Sequence, residues 1–322
     1  MDSVLIIGAG MCGIAAARVL KEQGKTVTLI DKGRAIGGRM MTRSFRIEGF
    51  GDAIGDRGAQ YCTARDSRFQ ELIDSLKAVG VVKEWTSPDA KHSPTPRYIG
   101  TKGMVSIAQY LSQGLDIRVD QKVARIVAAD GRWTAFTEDE MSVSADALII
   151  TSPVPQSLAI LDASGVHLSS EERYALERIQ YHPCIALMTL LTDDSLLSSH
   201  SARLQGDVVW WVADNQRKGI SSLPVMTLHA APEFSSKHWH DTDESIAEVM
   251  MQTAKPFLGS AMLMYKVHRW RYSRPFVMHS EPFLRASNVD NPPLLFAGDG
   301  FTDGRVEGAY LSGIAAAQAL LA

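Results

Sequence analysis

The stretch Val4 to Arg39, VLIIGAGMCGIAAARVLKEQGKTVTLIDKGRAIGGR, decides how the rest of the chain is read. A short apolar run, Val4-Leu5-Ile6-Ile7, breaks at Gly8-Ala9-Gly10-Met11-Cys12-Gly13 and restarts as a helical pattern through Leu20. Gly24 ends that helix, and a second apolar run from Thr26 to Ile30 terminates in Asp31. The order is strand, glycine turn, helix, strand, acid. Gly8 makes the tight turn, Gly10 lets backbone approach a pyrophosphate, and Gly13 lets helix and strand pack closely. The helix N-terminus then offers free N–H groups and a partial positive charge to phosphates. Asp31 stands where a carboxylate accepts from a ribose diol, so the stretch predicts a dinucleotide site.

Working outward, Lys32-Gly33-Arg34-Ala35-Ile36-Gly37-Gly38-Arg39 adds a second glycine pair followed by arginine. Paired glycines bare the backbone amides, and Arg39 offers a guanidinium fork suited to phosphate, with Arg34 as a second candidate. In an NADP site a basic residue here would read the 2′-phosphate, but Asp31 would repel that group. FAD fits better. At the other end of the chain, Leu294-Leu295-Phe296-Ala297 leads to Gly298-Asp299-Gly300, and a turn at Thr302-Asp303-Gly304 opens a helix from about Arg305. Its expected apolar face is Val306, Ala309, Tyr310, Gly313, Ile314, Ala317 and Leu320. A strand ending in Gly-Asp before an exposed helix N-terminus is a second cofactor-binding geometry.

Between these anchors, Asp56-Arg57-Gly58-Ala59-Gln60-Tyr61 reads as a short extended segment. With the glycine pair and the opening unit it resembles the FAD-dependent amine-oxidase-like superfamily. The longer run, Arg57-Gly58-Ala59-Gln60-Tyr61-Cys62-Thr63-Ala64-Arg65-Asp66-Ser67-Arg68-Phe69, is similar to the renalase-like flavoproteins within it. The resemblance continues at Arg97 to Ser106, at Thr151-Ser152-Pro153-Val154-Pro155-Gln156 and at Val267 to Pro275. It implies an α/β fold: a Rossmann-type FAD-binding domain with a β-meander insertion, plus a mixed α+β substrate domain, as in p-hydroxybenzoate hydroxylase and amine oxidases. We expect 1–65, 101–156 and 288–322 in the FAD-binding domain, and 66–100 and 157–287 in the substrate domain.

Periodicity fills in the elements. Asp66 or Ser67 caps a predicted helix from Arg68 to about Val79, with Phe69, Leu72, Ile73 and Leu76 on one face. Trp85 to Pro96 is polar and proline-rich, and is read as surface loop. A helix runs from about Gly103 through Leu111, and strands alternate over Asp116 to Ser152 around a turn at Asp130-Gly131. Helical patterns follow at Ser157–Leu161, Ser170–Ile179 and Asp243–Phe257, and strand patterns at Ile185–Leu191, Val208–Val212, Val225–His229 and Met262–Trp270.

Composition narrows the partners. At 322 residues, with 45% hydrophobic and 21% charged residues, the chain suits two soluble domains. A net charge of −3 and a pI near 6.3 argue against nucleic acid, which needs a basic face. No apolar run approaches the ~20 residues that span a bilayer, so no membrane association is expected. The first strand begins near Met1, so we expect no signal peptide and a cytoplasmic setting. Cys12, Cys62 and Cys184 are odd in number and widely spaced, as free thiols would be.

The expected FAD contacts are Gly8, Ala9, Gly10, Met11, Cys12, Gly13, Asp31, Lys32, Gly38, Arg39 and Met40, then Gly58, Ala59 and Gln60. By the resemblance, the backbone at Lys122-Val123 meets the adenine and Asp299 holds a ribityl hydroxyl. The amides of Arg305, Val306 and Glu307 face the flavin beyond Gly298. By the same resemblance, a cysteine near this segment would signal a covalent link; none is there, so the resemblance implies non-covalent FAD. Amine oxidases of the superfamily carry a lysine near flavin N5, on the strand read here as Pro183 to Leu191, and that strand has none. Renalase-like proteins also lack it and oxidise 2- and 6-dihydro isomers of NAD(P)H to NAD(P)⁺, with oxygen giving hydrogen peroxide. Such a donor needs no catalytic base, so aromatic and hydrogen-bonding groups are expected around a dinucleotide substrate. The candidates are Tyr61, His182, His268 and Trp211 as catalytic residues, and Gln60, Tyr61, Arg97 and Trp270 as substrate contacts, with His229 and Tyr272 beside them. Another flavin oxidase acting on an amine, or a non-catalytic flavoprotein, are the alternatives. His238, His240 and Asp241 have poor spacing for a metal, and none is expected.

Overall fold

The computed structural model describes residues 1–47, 51–85, 95–287, 292–301 and 303–322. The middle of the Trp85–Pro96 loop and Thr302 of the C-terminal turn lie outside the described residues. The chain divides into two compact units, Met1–Gly38 with Ala108–Tyr181 and Arg274–Ala322, and Arg39–Ile107 with His182–Ser273. Residues 39–65 and 101–107 thus pack with the second unit, whereas the sequence grouped them with the cofactor domain. Residues 157–181 and 274–287 pack with the first.

The first unit is built on a six-stranded sheet in the order Phe283–Arg285, Leu294–Ala297, Ala147–Ile150, Ser3–Ile7, Thr26–Ile30, Asp116–Arg118. All neighbours are parallel except the Phe283–Arg285 edge. Parallel strands covered on both faces read as continuous apolar runs, which is why Val4 to Ile7 does not alternate. Leu5 and Ile7 turn to a core shared with Trp133, Ile126 and Phe296, under the three-stranded meander Val123–Ala129, Arg132–Thr137, Ser142–Ala145. The meander turns at Asp130-Gly131, both at positive φ, as an Asp-Gly hairpin should. Helix Met11–Glu22 and helix Val306–Leu321 also belong to this unit, and at Gly313 an added Cβ would run into the Cys12 carbonyl. Val306–Leu321 buries Glu307, Gly308, Ser312, Gly313, Ile314, Ala316 and Ala317, a face shifted toward small residues from the expected one.

The second unit centres on a five-stranded sheet in the order Ser201–Arg203, Val209–Asp214, Val225–Ala230, Gln180–Leu191, Met262–Val277. Successive side chains in a strand point to opposite faces. Ile185, Leu187, Met226 and Leu228 pack under helices Pro232–Lys237 and Asp243–Leu258. Met188, Leu190 and Val225 point the other way, onto Phe45 and Ala53 of a hairpin, Thr42–Ile47 with Gly51–Asp56. Helix Ser67–Ala78 begins where sequence places it, with the Asp66 carboxylate accepting from Arg68 N at 2.9 Å. Asp56 ends its strand and the chain then bends, so the extended reading of Asp56–Tyr61 is corrected.

Candidate active site

The first unit supplies a cradle made largely of backbone. Gly8 adopts φ +113°, and a Cβ on Gly13 would overlap the Gly8 carbonyl oxygen, so the turn requires glycine at both. A Cβ at Gly10 would meet nothing within 4 Å, leaving the approach to the helix open. Gly10 caps Met11–Glu22 with no side-chain hydrogen bond and no acid in the first turn, a helix start whose partial positive charge suits an anion. Asp31 Oδ2 accepts from Ala9 N at 2.7 Å and Oδ1 from Gly33 N at 2.6 Å, bracing the turn while keeping acceptor capacity. The chain beyond Asp116–Arg118 folds over this acid, with Gln121 N donating to Asp31 O at 3.0 Å and Asp120 N to Gly33 O at 2.8 Å. Val123 is therefore held near Asp31, and Gln121 Oε1 is buried there with no protein donor. Burial pulls the Lys32 pKa down, with Asp31 opposing and Lys122 adding to the fall. Arg34 is exposed, 3.9 Å from Asp120.

At the far end, Gly298 takes φ +146° and its N–H donates to Ser312 Oγ at 2.8 Å, setting Asp299 just past the Leu294–Ala297 strand. Arg305 caps Val306–Leu321 without a side-chain hydrogen bond of its own, and its N–H donates to Asp303 Oδ1 at 3.0 Å, so the expectation that the Arg305 amide faces the flavin is corrected while the helix start at Val306 stays in place.

The second unit builds its site on one sheet face. Lys266, His268 and Trp270 alternate along the edge strand on the side opposite Val267, and Trp211 pairs with His229 across neighbouring strands. The segment from Asp56 to Gln60 is bonded to that face. His229 Nε2 donates to Arg57 O at 3.2 Å, Trp270 Nε1 to the same oxygen at 3.0 Å, and Thr227 Oγ1 to Asp56 O at 3.0 Å. Ala59 N donates to Arg39 O at 2.9 Å, and a Cβ on Gly58 would overlap that carbonyl, so close approach fixes glycine there too. Arg39 Nη1 donates to the Tyr272 and Ser273 carbonyls at 3.1 and 3.3 Å, and Met40 is buried. Gln60 Nε2 donates to Asp56 O and Gly58 O, and among the described residues Gln60 Oε1 and Trp211 Nε1 are buried with no hydrogen-bond partner.

Tyr61 comes to lie 5.8 Å from Trp85 and 5.9 Å from Trp211 between ring centroids. The Arg97 guanidinium covers Tyr61 at 4.7 Å and Trp85 at 5.9 Å, a cation–π arrangement. Trp85 is thus a buried wall of the site, donating from Nε1 to His200 Nδ1 at 3.1 Å, which corrects its reading as surface loop. His268 stands apart from this trio, edge-on to Trp270 at 4.1 Å and 3.4 Å from Arg57 Nη1. His182 is half-buried near the start of Gln180–Leu191. Burial, partly opposed by the Arg57 carbonyl, brings the His229 pKa down to about 4; burial and then Arg57, Arg43 and Arg269 bring His268 to about 4. Both are neutral at pH 7. Because a carbonyl only accepts, His229 carries its proton on Nε2.

Under this face lies a group that sequence reading missed. Lys218 Nζ contacts Asp56 Oδ2 at 2.6 Å with both side chains fully buried. Asp56 Oδ1 also accepts from Thr42 Oγ1 at 2.6 Å and Met104 N at 2.8 Å, and Asn215 Oδ1 receives Asp56 N at 3.2 Å. Burial pushes the Lys218 pKa down, with Asp56 opposing. Lys218 sits in Asp214-Asn215-Gln216-Arg217-Lys218-Gly219, a polar run that reads as an ordinary surface turn, so no local signal marks it. His238 Nδ1 is paired with Asp241 Oδ2 at 2.7 Å.

A glycine turn with bared helix ends, joined in one chain to a sheet face of aromatics, fits a redox cofactor enzyme. The model of the flavin containing amine oxidoreductase family matches residues 94–321, and that of an NAD(P)-binding Rossmann-like domain matches residues 6–76. The chain therefore belongs to the flavin-containing amine oxidoreductase family, and FAD is its cofactor. Within it the chain is similar to renalase of Mus musculus, with 27% identity over 99% of both chains. It is 28% identical to polyamine oxidase 4 of Oryza sativa subsp. japonica, over 82% of this chain and 56% of that one. In fold it resembles a putative protoporphyrinogen oxidase from Exiguobacterium, at TM-score 0.75, 13% identity and 99% and 98% coverage. Wild-type putrescine oxidase bound to putrescine gives 0.71, with 14% identity and 99% of each chain. Among the described residues no helix is long and apolar enough to cross a membrane.

Proposed function

We propose that this protein is an FAD-dependent oxidase of 2- and 6-dihydro isomers of NAD(P)H, converting them to NAD(P)⁺. The carrying observation is a second-unit face rich in aromatics and cations, on which the acids and histidines among the described residues are either paired, as Asp243 is with Arg269, or weakly basic. Arg57, Arg97 and Lys266 line or flank it, Asp56 is spent on Lys218, and His229 and His268 have pKa values near 4. An ammonium substrate must lose a proton before hydride leaves and would be repelled by those cations. A dihydronicotinamide is anionic in its phosphates and becomes an aromatic cation on losing hydride, so no base is needed.

Bound FAD supplies a two-electron acceptor at N5 that passes its electrons on to oxygen, giving hydrogen peroxide. The chain's own residues bind and orient. Gly8, Ala9, Gly10, Met11, Cys12 and Gly13 would hold the pyrophosphate, with Asp31, Lys32 and Val123 at the adenosine, the buried Gln121 Oε1 and uncapped helix suiting that role. Gly38, Gly298, Asp299, Arg305, Val306 and Glu307 in the first unit, and Arg39, Met40, Gly58, Ala59 and Gln60 in the second, are the further residues proposed for binding FAD without a covalent link. Tyr61, Trp85 and Trp211 offer flat surfaces that exclude water from the donor ring. Gln60 Oε1 and Trp211 Nε1, one acceptor and one donor without partners among the described residues, match a carboxamide.

The test is anaerobic mixing of the yellow protein with a 6-dihydro-NAD isomer, ordinary NADH and a panel of amines. Bleaching of the flavin absorbance by the isomer alone is expected. Bleaching by an amine alone would overturn the reading in favour of amine oxidation, the activity that the family's name describes.

A further inference from the structure

A cavity of about 390 Å³ opens in the second unit between the hairpin and the edge strand, walled by Arg43, Arg57, Lys266 and His268 over a floor of Ala186 and Met188. Strand alternation sets Lys266 and His268 on the same side. Arg43 lies across the hairpin from Gly55, two residues before Arg57. The carboxylate in the wall, Asp243, is engaged by Arg269 Nη1 at 2.6 Å.

The three cations face the cavity with donors to spare. Among the described residues Arg57 Nε is buried with no hydrogen-bond partner, and its Nη1 has the 3.4 Å contact to His268 Nδ1. Lys266 Nζ gives one hydrogen bond, to Ser44 O at 3.0 Å, and sits 4.9 Å from the Phe45 ring, leaving ammonium protons unassigned. Burial, then the charge of Arg43, lowers the pKa of both Arg57 and Lys266, as expected where like charges gather without a counter-ion. An isolated carboxylate would satisfy one guanidinium fork. Two forks and an ammonium around one cavity suit the several oxygens of a phosphate ester.

We propose that this cavity is a phosphate subsite, and that it takes the pyrophosphate of the dinucleotide substrate. The second half of that statement rests on the oxidase reading above. Arg57 precedes Tyr61 by four residues, so their backbones are at most roughly 14 Å apart. A dinucleotide with its nicotinamide against the Tyr61 and Trp211 rings would therefore carry its phosphates into reach of Arg57. The subsite discriminates for dinucleotides by charge, while the aromatic group handles the reacting ring.

The experiment titrates the FAD-loaded enzyme, its Arg43→Gln variant and its Lys266→Gln variant with inorganic pyrophosphate by calorimetry at low and moderate salt. Arg43 is exposed and its side chain makes no hydrogen bond to another described residue, so its variant guards against a folding failure at Lys266. Each substitution is expected to weaken pyrophosphate binding about tenfold, the loss of one charge-assisted contact. The KM for a dihydro-NAD isomer should rise by a similar factor relative to that for a phosphate-free N-alkyl dihydronicotinamide. Absent pyrophosphate binding, or equal affinity in all three proteins, overturns the subsite. If pyrophosphate binding falls in the variants but no dihydronicotinamide bleaches the flavin, the phosphate site stands and the oxidase reading falls. If the isomer bleaches the flavin with an unchanged KM ratio in both variants, the oxidase reading stands and the assignment of the substrate's pyrophosphate to this cavity falls.

Discussion

The two units solve the problem of holding a ligand by opposite means. The first unit works with what side chains leave out: glycines at Gly8, Gly10 and Gly13 and two helix starts whose N-cap residues, Gly10 and Arg305, give no side-chain cap. The second works with side chains brought together from distant strands, where Tyr61, Trp85, Arg97, Trp211, His229 and Trp270 meet across one sheet face. Backbone recognition tolerates little change at a few positions. Side-chain recognition leans on the buried charges that keep the strands in register, and Lys218 with Asp56 is the clearest case.

The contrast can be broken most forcefully at that pair. Lys218→Met leaves Asp56 buried without its counter-charge and should cost about 3–5 kcal/mol of stability, read as the shift in a urea-unfolding midpoint. The double variant Asp56→Asn with Lys218→Met should recover much of that, since removing both charges removes the uncompensated one. If the single variant is as stable as the parent, the pair does not hold the hairpin, the Met104 turn and the Asn215 turn together. In the first unit the matching test is Gly13→Ala. The new methyl collides with the Gly8 carbonyl, and we expect about 3 kcal/mol of destabilisation with loss of bound flavin. The ratio of flavin to protein absorbance and the melting temperature report the two effects separately. Unchanged flavin content would mean that close packing at this turn is unimportant.

A smaller effect sharpens the electrostatics of the second unit. His229 has a folded pKa near 4 against about 6.5 in the unfolded chain, so below pH 6.5 the unfolded state takes up a proton that the folded state refuses. Its contribution is fully present above pH 6.5 and is lost as pH falls toward 4. Between pH 6.5 and 5 the loss should be about 2 kcal/mol. His229→Gln, which can keep a donor for the Arg57 carbonyl, should flatten that part of the stability profile. A profile with the same slope as the parent would show that His229 is not the group responsible.

The glycine turn, the alternating strands of the meander, the capped helix at Asp66 and the C-terminal strand and helix were all legible from spacing, because each is set by residues a few positions apart, while their assembly as a meander came from the family resemblance. The Thr42–Asp56 hairpin was not, since it carries no continuous apolar run and is fixed by Met188 and Val225 from elsewhere in the chain. Trp85 looked like part of a polar loop because its neighbours are polar, yet its ring is buried beside Tyr61. Among the histidines, sequence could name candidates but not separate His229, tied to Arg57, from His268 beside the cavity.

By itself, then, the sequence determined the cofactor half: Gly8 to Asp31 specifies a dinucleotide turn because steric exclusion of a side chain is a local property of each residue. Only the tertiary structure decided what surrounds the second site. Whether Lys218 is a solvated surface lysine or a buried counter-charge depends on Asp56, 162 residues away in sequence. The desolvation that makes that pairing necessary exists only once the sheet has formed.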